Sequence, residues 1–169
     1  MNRVTIAAAG VLALLAACSA PVTEAPRGAF RAANAPIYSA AAFQPARAVG
    51  TWRQAATYAS GAKSCPAGGL ELRQNGAGLI AKGHLCLDGR QVAVNGPLAP
   101  KGHGRFAFAG MADWWVIWVD FDYRTMAIGT PDGSFGFILD RGALPRDRLV
   151  AAAEIFDFNG YSKAQLRPY

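Results

Sequence analysis

The side chains that most often carry chemistry are few in this sequence and stand far apart. Its two histidines are His84 and His103. His84 sits in an alternating run near Cys86, and His103 lies in Lys101-Gly102-His103-Gly104, a turn-like stretch that places it in solvent. Cys, His, Asp and Glu do not cluster at metal-ligand spacing, so a metal site is not expected. A Gly-x-Ser-x-Gly elbow, a phosphate loop and paired catalytic carboxylates are also missing. Asp120 and Asp122 lie two apart on one strand face, the nearest approach to a carboxylate pair. The expectation is a protein that is not an enzyme and uses no cofactor. What the chain does offer is large apolar side chains at two-residue spacing: Phe106 and Phe108, then Trp114, Val116 and Trp118, then Phe135 and Phe137. Ile128 falls between the last two groups. Such surface binds apolar molecules or fills a core.

These residues sit on short alternating runs that recur every 8 to 12 residues from Gly50 onward, the pattern of an all-β sandwich or barrel. Strands are expected at about Thr51–Ala59, Gly69–Gln74, Gly78–Leu87, Gln91–Leu98, Arg105–Gly110, Trp114–Phe121, Met126–Thr130 and Phe135–Leu139. Asn75-Gly76, Asp88-Gly89, Pro100–Gly104 and Pro131-Asp132-Gly133 supply hairpin turns between them. Eight consecutive, tightly linked strands point to an antiparallel up-and-down barrel, which at that strand number can enclose one small ligand. After Pro145 the period changes. Leu149, Val150, Ala153 and Phe156 fall at helical spacing until Asn159-Gly160, giving one C-terminal helix that needs an apolar surface to cover. Ala164 to Arg167 has the character of a short edge strand.

The N-terminus reads as an export signal. Arg3 precedes an apolar run from Val4 to Ala17, about 14 residues and too short for a membrane-spanning helix, which needs roughly 20. The run ends in Leu15-Ala16-Ala17-Cys18, which resembles the bacterial lipobox. That resemblance implies cleavage after residue 17 and acylation of Cys18, with Ser19 in the next position favouring the outer membrane. Residues 18–44 are rich in Ala and Pro and are expected to be a tether, with Ile37 to Phe43 near enough to pack on a barrel domain spanning 45–169. With Cys18 claimed, Cys65 and Cys86 remain as an even pair in an oxidising compartment, where a disulfide is the default. The net charge of +6 drops to +5 once Arg3 is removed. Its Lys and Arg residues are scattered without an aromatic platform, which argues against nucleic acid as a partner.

Against this frame of strands, the sequence resembles the lipocalins, and in particular their bacterial outer-membrane lipoprotein branch. Gly50-Thr51-Trp52 is similar to the family's Gly-x-Trp on the first strand. Val119-Asp120-Phe121-Asp122-Tyr123-Arg124 resembles the Asp-rich turn between the sixth and seventh strands. Phe137-Ile138-Leu139-Asp140-Arg141 resembles the run that ends the eighth strand in Arg. Gly160-Tyr161-Ser162 is similar to the segment after the helix, and Cys65 and Cys86 match a cysteine pair found in part of the family. The resemblance covers roughly Phe43 to Tyr169. It departs from the family at His84 and at Arg53-Gln54, where a polar residue of another kind, an aromatic and an acid are common.

The resemblance implies a lipocalin (calycin) barrel sealed at one end by Gly50, Trp52, Asp120 and Arg141, with the Trp52 indole beneath the Arg141 guanidinium. It also implies that Trp114, Val116 and Trp118 point inward, with Phe106, Phe108, Ile128, Phe135 and Phe137, and that Trp115, Ile117 and Val119 lie outside under the helix. Tyr58 is expected at the mouth, holding a headgroup. The function expected is an outer-membrane lipoprotein, held to the membrane through Cys18, that carries or scavenges a fatty acid, lysophospholipid or similar amphiphile. A second expectation stays open: a periplasmic lipoprotein whose barrel is filled by its own side chains and which docks onto another protein.

Overall fold

The computed structural model describes residues 29–62 and 65–169. After a single helical turn, α1 (Pro45–Ala48), eight strands follow in order: β1 (Gly50–Tyr58), β2 (Gly69–Asn75), β3 (Gly78–Leu87), β4 (Arg90–Gly102), β5 (Arg105–Phe108), β6 (Trp114–Val119), β7 (Thr125–Gly129) and β8 (Gly136–Asp140). Each pairs antiparallel with the next, and β8 pairs with β1, so the sheet closes on itself. The expected up-and-down barrel is the fold that forms. A 13-residue helix, α2 (Arg146–Phe158), covers one flank, and a short strand, β9 (Leu166–Pro168), ends the chain.

β4 runs further than the turn residues Pro100–Gly104 suggest. β3 begins at Gly78, so beyond Leu98 β4 has a neighbour on the β5 side only. Pro100 falls on that freed edge, where its missing N–H breaks no ladder.

β1 is the strand that organises the barrel. Its lower half pairs with β2 from Gly50 to Arg53, but β2 starts only at Gly69. The upper half takes β9 instead, from Ala56 to Tyr58. Gln54 fills the gap between them. Its Nε2 donates to the Cys86 carbonyl at 2.8 Å, and its Oε1 accepts from the Cys86 N–H at 2.8 Å and the Gly68 N–H at 3.1 Å. Thr57 Oγ1 donates to the same carbonyl at 2.8 Å. A side-chain amide thus replaces a missing strand rung, which is why a buried Gln stands where the family commonly has another residue.

The Cys65–Cys86 disulfide staples the β1–β2 connection to β3 at this same seam. In the chain-entropy account, closing a loop of sequence separation 21 contributes about 3 kcal/mol. Reduction should therefore lower the urea midpoint by that much stability. An unchanged midpoint on adding dithiothreitol would show that the seam holds without it.

Two apolar layers result. The inner one fills the barrel; the outer one lies between barrel and helix and contains Phe30, Ala56, Tyr58, Ile117, Ala127, Ile138, Ala152, Phe156 and Tyr161. The helix covers the sheet with Ala152 and Phe156 and, half-buried, Leu149 and Ile155. Val150 points away and is 51% exposed, so the stripe expected through Val150 and Ala153 is rotated by part of a turn.

The segment before α1 also departs from expectation. Within residues expected to be tether, Phe30 N–H donates to Gly133 O at 2.7 Å and Ala32 N–H to Gly160 O at 2.9 Å, while in the stretch from Ile37 to Phe43, expected near the barrel, Ala40 N–H donates to Val116 O at 2.7 Å. Phe30 and Phe43, the two phenylalanines of an Ala- and Pro-rich stretch, are buried. The folded body therefore begins well before residue 45, as a strap running down the outside of the barrel. Cys18 and the cleavage site lie outside the described residues, as does the first part of the tether.

Candidate functional site

At the closed end Gly50, Trp52 and Arg141 meet, and Asp120 holds the adjoining β6–β7 turn. Trp52 is fully buried, and its Nε1 donates to Ala48 O at 2.8 Å, tying the indole to α1. The Arg141 guanidinium carbon stands 4.2 Å from the centre of the Trp52 ring. Arg141 donates from Nε to Tyr123 O at 2.8 Å, and from one terminal nitrogen to Arg47 O at 3.0 Å and Val49 O at 2.8 Å. It thus satisfies three carbonyls left over where strands, turn and α1 meet. Partial burial pulls the guanidinium below its ordinary pKa. Gly50 has φ of +121°, and a Cβ there would meet the guanidinium at 2.6 Å, so only glycine lets the arginine lie flat. Asp120 takes part through the turn: its Oδ1 accepts from the N–H groups of Arg124 and Thr125.

Above this seal the interior is apolar. Phe106, Trp114, Val116, Ile128, Phe135 and Phe137 are buried in the inner layer, and the half-buried Phe108 packs against it. Phe108 stacks on the Trp114 ring at 5.7 Å, and Phe137 meets its edge at 5.2 Å. The remaining void, between Phe43, Leu72, Leu79, Leu98, Phe106, Trp114, Val116, Met126, Ile128 and Leu139, amounts to about 10 Å³. That is the space of a single water molecule at most. The lining of this void is apolar. Trp114 Nε1 is buried and has no hydrogen-bond partner among the described residues. An indole N–H donates only, and leaving it unmet inside an apolar core costs about 1–3 kcal/mol.

Two residues expected inside lie outside. The β1–β8 register shifts between Gln54 and Ala56, a bulge that reverses which face the later residues take. Trp52 therefore points in while Tyr58 points out, under the helix, with Phe156 at 4.9 Å and Tyr161 at 5.0 Å between ring centres. Tyr58 cannot hold a headgroup at the mouth. The β6–β7 register shifts likewise between Val116 and Trp118, so Ile117 and Trp118 both pack in the outer layer and Val119 turns inward. Both faces of this strand are apolar, so alternation carried no sign of the bulge. His84 and His103 are solvent-exposed, and no metal-binding group of His, Cys, Asp and Glu forms among the described residues.

The position of Tyr58 under the helix has a measurable effect on stability. Its hydroxyl is buried without a partner among the described residues, and burial, with Tyr161 and Asp157 nearby, pushes its pKa well above the ordinary phenol range. The folded pKa therefore exceeds the unfolded value near 10. The neutral phenol's contribution is whole below pH 10 and is lost as the pH rises past 10. Tyr58→Phe removes the unmet hydroxyl, so it should stabilise the protein by about 1 kcal/mol at pH 7 and flatten the alkaline decline. Urea titrations of both proteins at pH 7 and pH 10.5 check this; a destabilised variant would contradict it.

Phe43 and Met126 line the interior without having been expected there, whereas Leu139 points in with Phe135 and Phe137 as the alternation of β8 places it. Met126 and Leu139 face each other across the β7–β8 pair, a register that alternation in β8 already implied. Phe43 enters from the strap, edge-on to Phe106 at 5.8 Å, and gave no periodic signal.

No protein-family model matches the chain, and no curated protein matches it by sequence. Solved structures do match. The major allergen Per a 4 from cockroaches is 12% identical, with a TM-score of 0.56 over 79% of this chain and 90% of that one. Lobster apocrustacyanin A1 is 16% identical, with a TM-score of 0.56 over 86% of this chain and 92% of that one. Apocrustacyanin C2 is 18% identical, with a TM-score of 0.52 over 79% and 88%. At these identities the likeness concerns the fold: a closed eight-stranded antiparallel barrel with one C-terminal helix, the lipocalin architecture.

Proposed function

We propose that this barrel binds a small amphiphile, a fatty acid or lysophospholipid, and carries or scavenges it at the bacterial outer membrane, where acylated Cys18 anchors the protein. The observation that carries the reading is Trp114 Nε1, a donor without a partner among the described residues, set in an otherwise apolar interior. A purely structural core would gain by placing Phe there; a site for a chain with an acceptor at one end uses the indole. Entry requires the interior to open. The void of about 10 Å³ is the closed state, and Phe108, Met111 and Ala112 beside the β5–β6 loop are the side chains that must give way. The carboxylate or phosphate of the amphiphile then meets the Trp114 N–H while its chain replaces the aromatic contacts.

The same small void favours a second reading, in which the filled barrel docks onto another envelope protein. Native mass spectrometry of the protein extracted from membranes of its own host separates the two. The first reading gives a covalent acyl mass on Cys18 together with a non-covalent lipid adduct released on activation. Acylation without any adduct, and with a co-purifying protein, would support the second.

A further inference from the structure

We propose that the open end of the barrel faces the bilayer, seated on phospholipid headgroups through Tyr38, Phe158 and the loops beside the mouth. The inference rests on the acylation of Cys18 and begins from the strap. β7 and β8 leave the sealed end and meet at a loop, residues 130–135, on the opposite rim. Phe30 hydrogen-bonds to Gly133 of that loop, and Arg31, 6% exposed, locks the strap to it. Arg31 donates from Nε to Asn159 O at 3.0 Å, from one terminal nitrogen to Pro131 O at 2.6 Å, and from the other to Ala35 O. Gly133 is required there, since a Cβ would lie 2.4 Å from the Arg31 side chain. The chain therefore reaches the folded body at the mouth and only afterwards descends to α1.

Residues 18 and 29 are joined by eleven peptide units, which span at most roughly 40 Å even if drawn straight. β1 alone, at nine residues, is roughly 30 Å long. With the sealed end on the membrane, well over half of that length would be used passing the barrel. With the mouth on the membrane, none of it is.

The surface near the mouth suits a headgroup layer. Tyr38 and Phe158 are 54% and 68% exposed and touch each other, with ring centres 5.7 Å apart. The Asn159 side chain fixes Tyr38 by accepting its N–H at 2.6 Å, so the pair stands beside Arg31 at the end of α2. Exposed aromatics of this kind settle at membrane–water interfaces. The competing surface is the β6–β7 turn at the sealed end, where Phe121 is 88% exposed beside Arg47 and Arg124. It lies at the end the anchor does not reach easily.

The test uses hydrogen exchange. The protein from residue 18 onward, with Cys65–Cys86 oxidised, is coupled through its Cys18 thiol to a maleimide lipid. The vesicles are phosphatidylethanolamine and phosphatidylglycerol, and thiol-capped protein mixed with the same vesicles is the reference. Amides of residues 109–113, 132–134 and those flanking Tyr38 and Phe158 should exchange roughly fivefold more slowly when coupled, with residues 121–124 unchanged. The Tyr38→Ser, Phe158→Ser double variant should keep the thermal midpoint and lose that protection. Protection at residues 121–124, protection nowhere, or full protection in the double variant would overturn the proposal. Chemical coupling stands in for acylation, and exchange reads the docked face whether or not a ligand binds. Failure of the function proposed above would therefore leave this result untouched.

Discussion

Replacing Trp52 with Ala should cost roughly 3–5 kcal/mol, the largest loss of any single substitution considered for this fold. The side chain is fully buried in the inner layer, and its removal opens a large cavity at the point where α1, β1 and β2 meet. It also releases the Ala48 carbonyl and takes the ring from beneath Arg141. Arg141→Ala should cost less, about 2–4 kcal/mol, because three carbonyls at the seal can turn toward water once the guanidinium is gone. The two losses should not add. Each variant already destroys the stacked contact, so the double variant should be more stable than the sum by about 1 kcal/mol. Urea midpoints of the four proteins measure this. Unchanged midpoints, or strict additivity, would show that the two side chains do not act as one seal.

Trp114→Phe should have the opposite balance: a small effect on stability and a large one on binding. The indole N–H has no partner to lose, so the folded protein forfeits only part of its stack with Phe108 and its contact with Phe137. A change within about 1 kcal/mol of wild type is expected. Binding of a fatty acid should weaken roughly tenfold, the worth of one hydrogen bond to a charged acceptor. An uncharged hydrocarbon of equal length should bind both proteins alike, since it has nothing to accept the proton. Equal loss for both ligands would assign Trp114 a packing role only. Val116 is a poor place to block the interior, because with about 10 Å³ free a larger side chain would strain the barrel itself.

The strands and the seal were largely legible in the sequence because their signals are local. Asn75-Gly76, Asp88-Gly89 and Pro131-Asp132-Gly133 end strands wherever the chain is read, and Gly50, Trp52 and Arg141 sit at the ends of strands those turns delimit. Alternation grouped Phe106 with Phe108 and Phe135 with Phe137, and the family resemblance chose the inward face. What was not legible is where alternation breaks. The bulges after Gln54 and Val116 each insert a residue, and β6 is apolar on both faces, so neither Tyr58 nor Trp118 betrayed its reversed side. The strap was hidden for another reason. Its anchoring is by Arg31 to backbone carbonyls and by two isolated phenylalanines, contacts between residues distant in the chain that leave no period in it. Gln54 looked like a departure from a family pattern, and its role emerges only once β2 is seen to start late.

Entry of an amphiphile into the barrel, up to Trp114, is read most directly by quenching of tryptophan emission by a fatty acid carrying a nitroxide on its chain. Of the four tryptophans, Trp114 lies inside beside the void, Trp52 lies in the seal, and Trp115 and Trp118 pack in the outer layer. Saturable quenching is expected, with a dissociation constant in the micromolar range, about −8 kcal/mol, and with most of the quenched signal absent from Trp114→Phe. Quenching that never saturates, or that survives unchanged in Trp114→Phe, would place the fatty acid outside the barrel and contradict it.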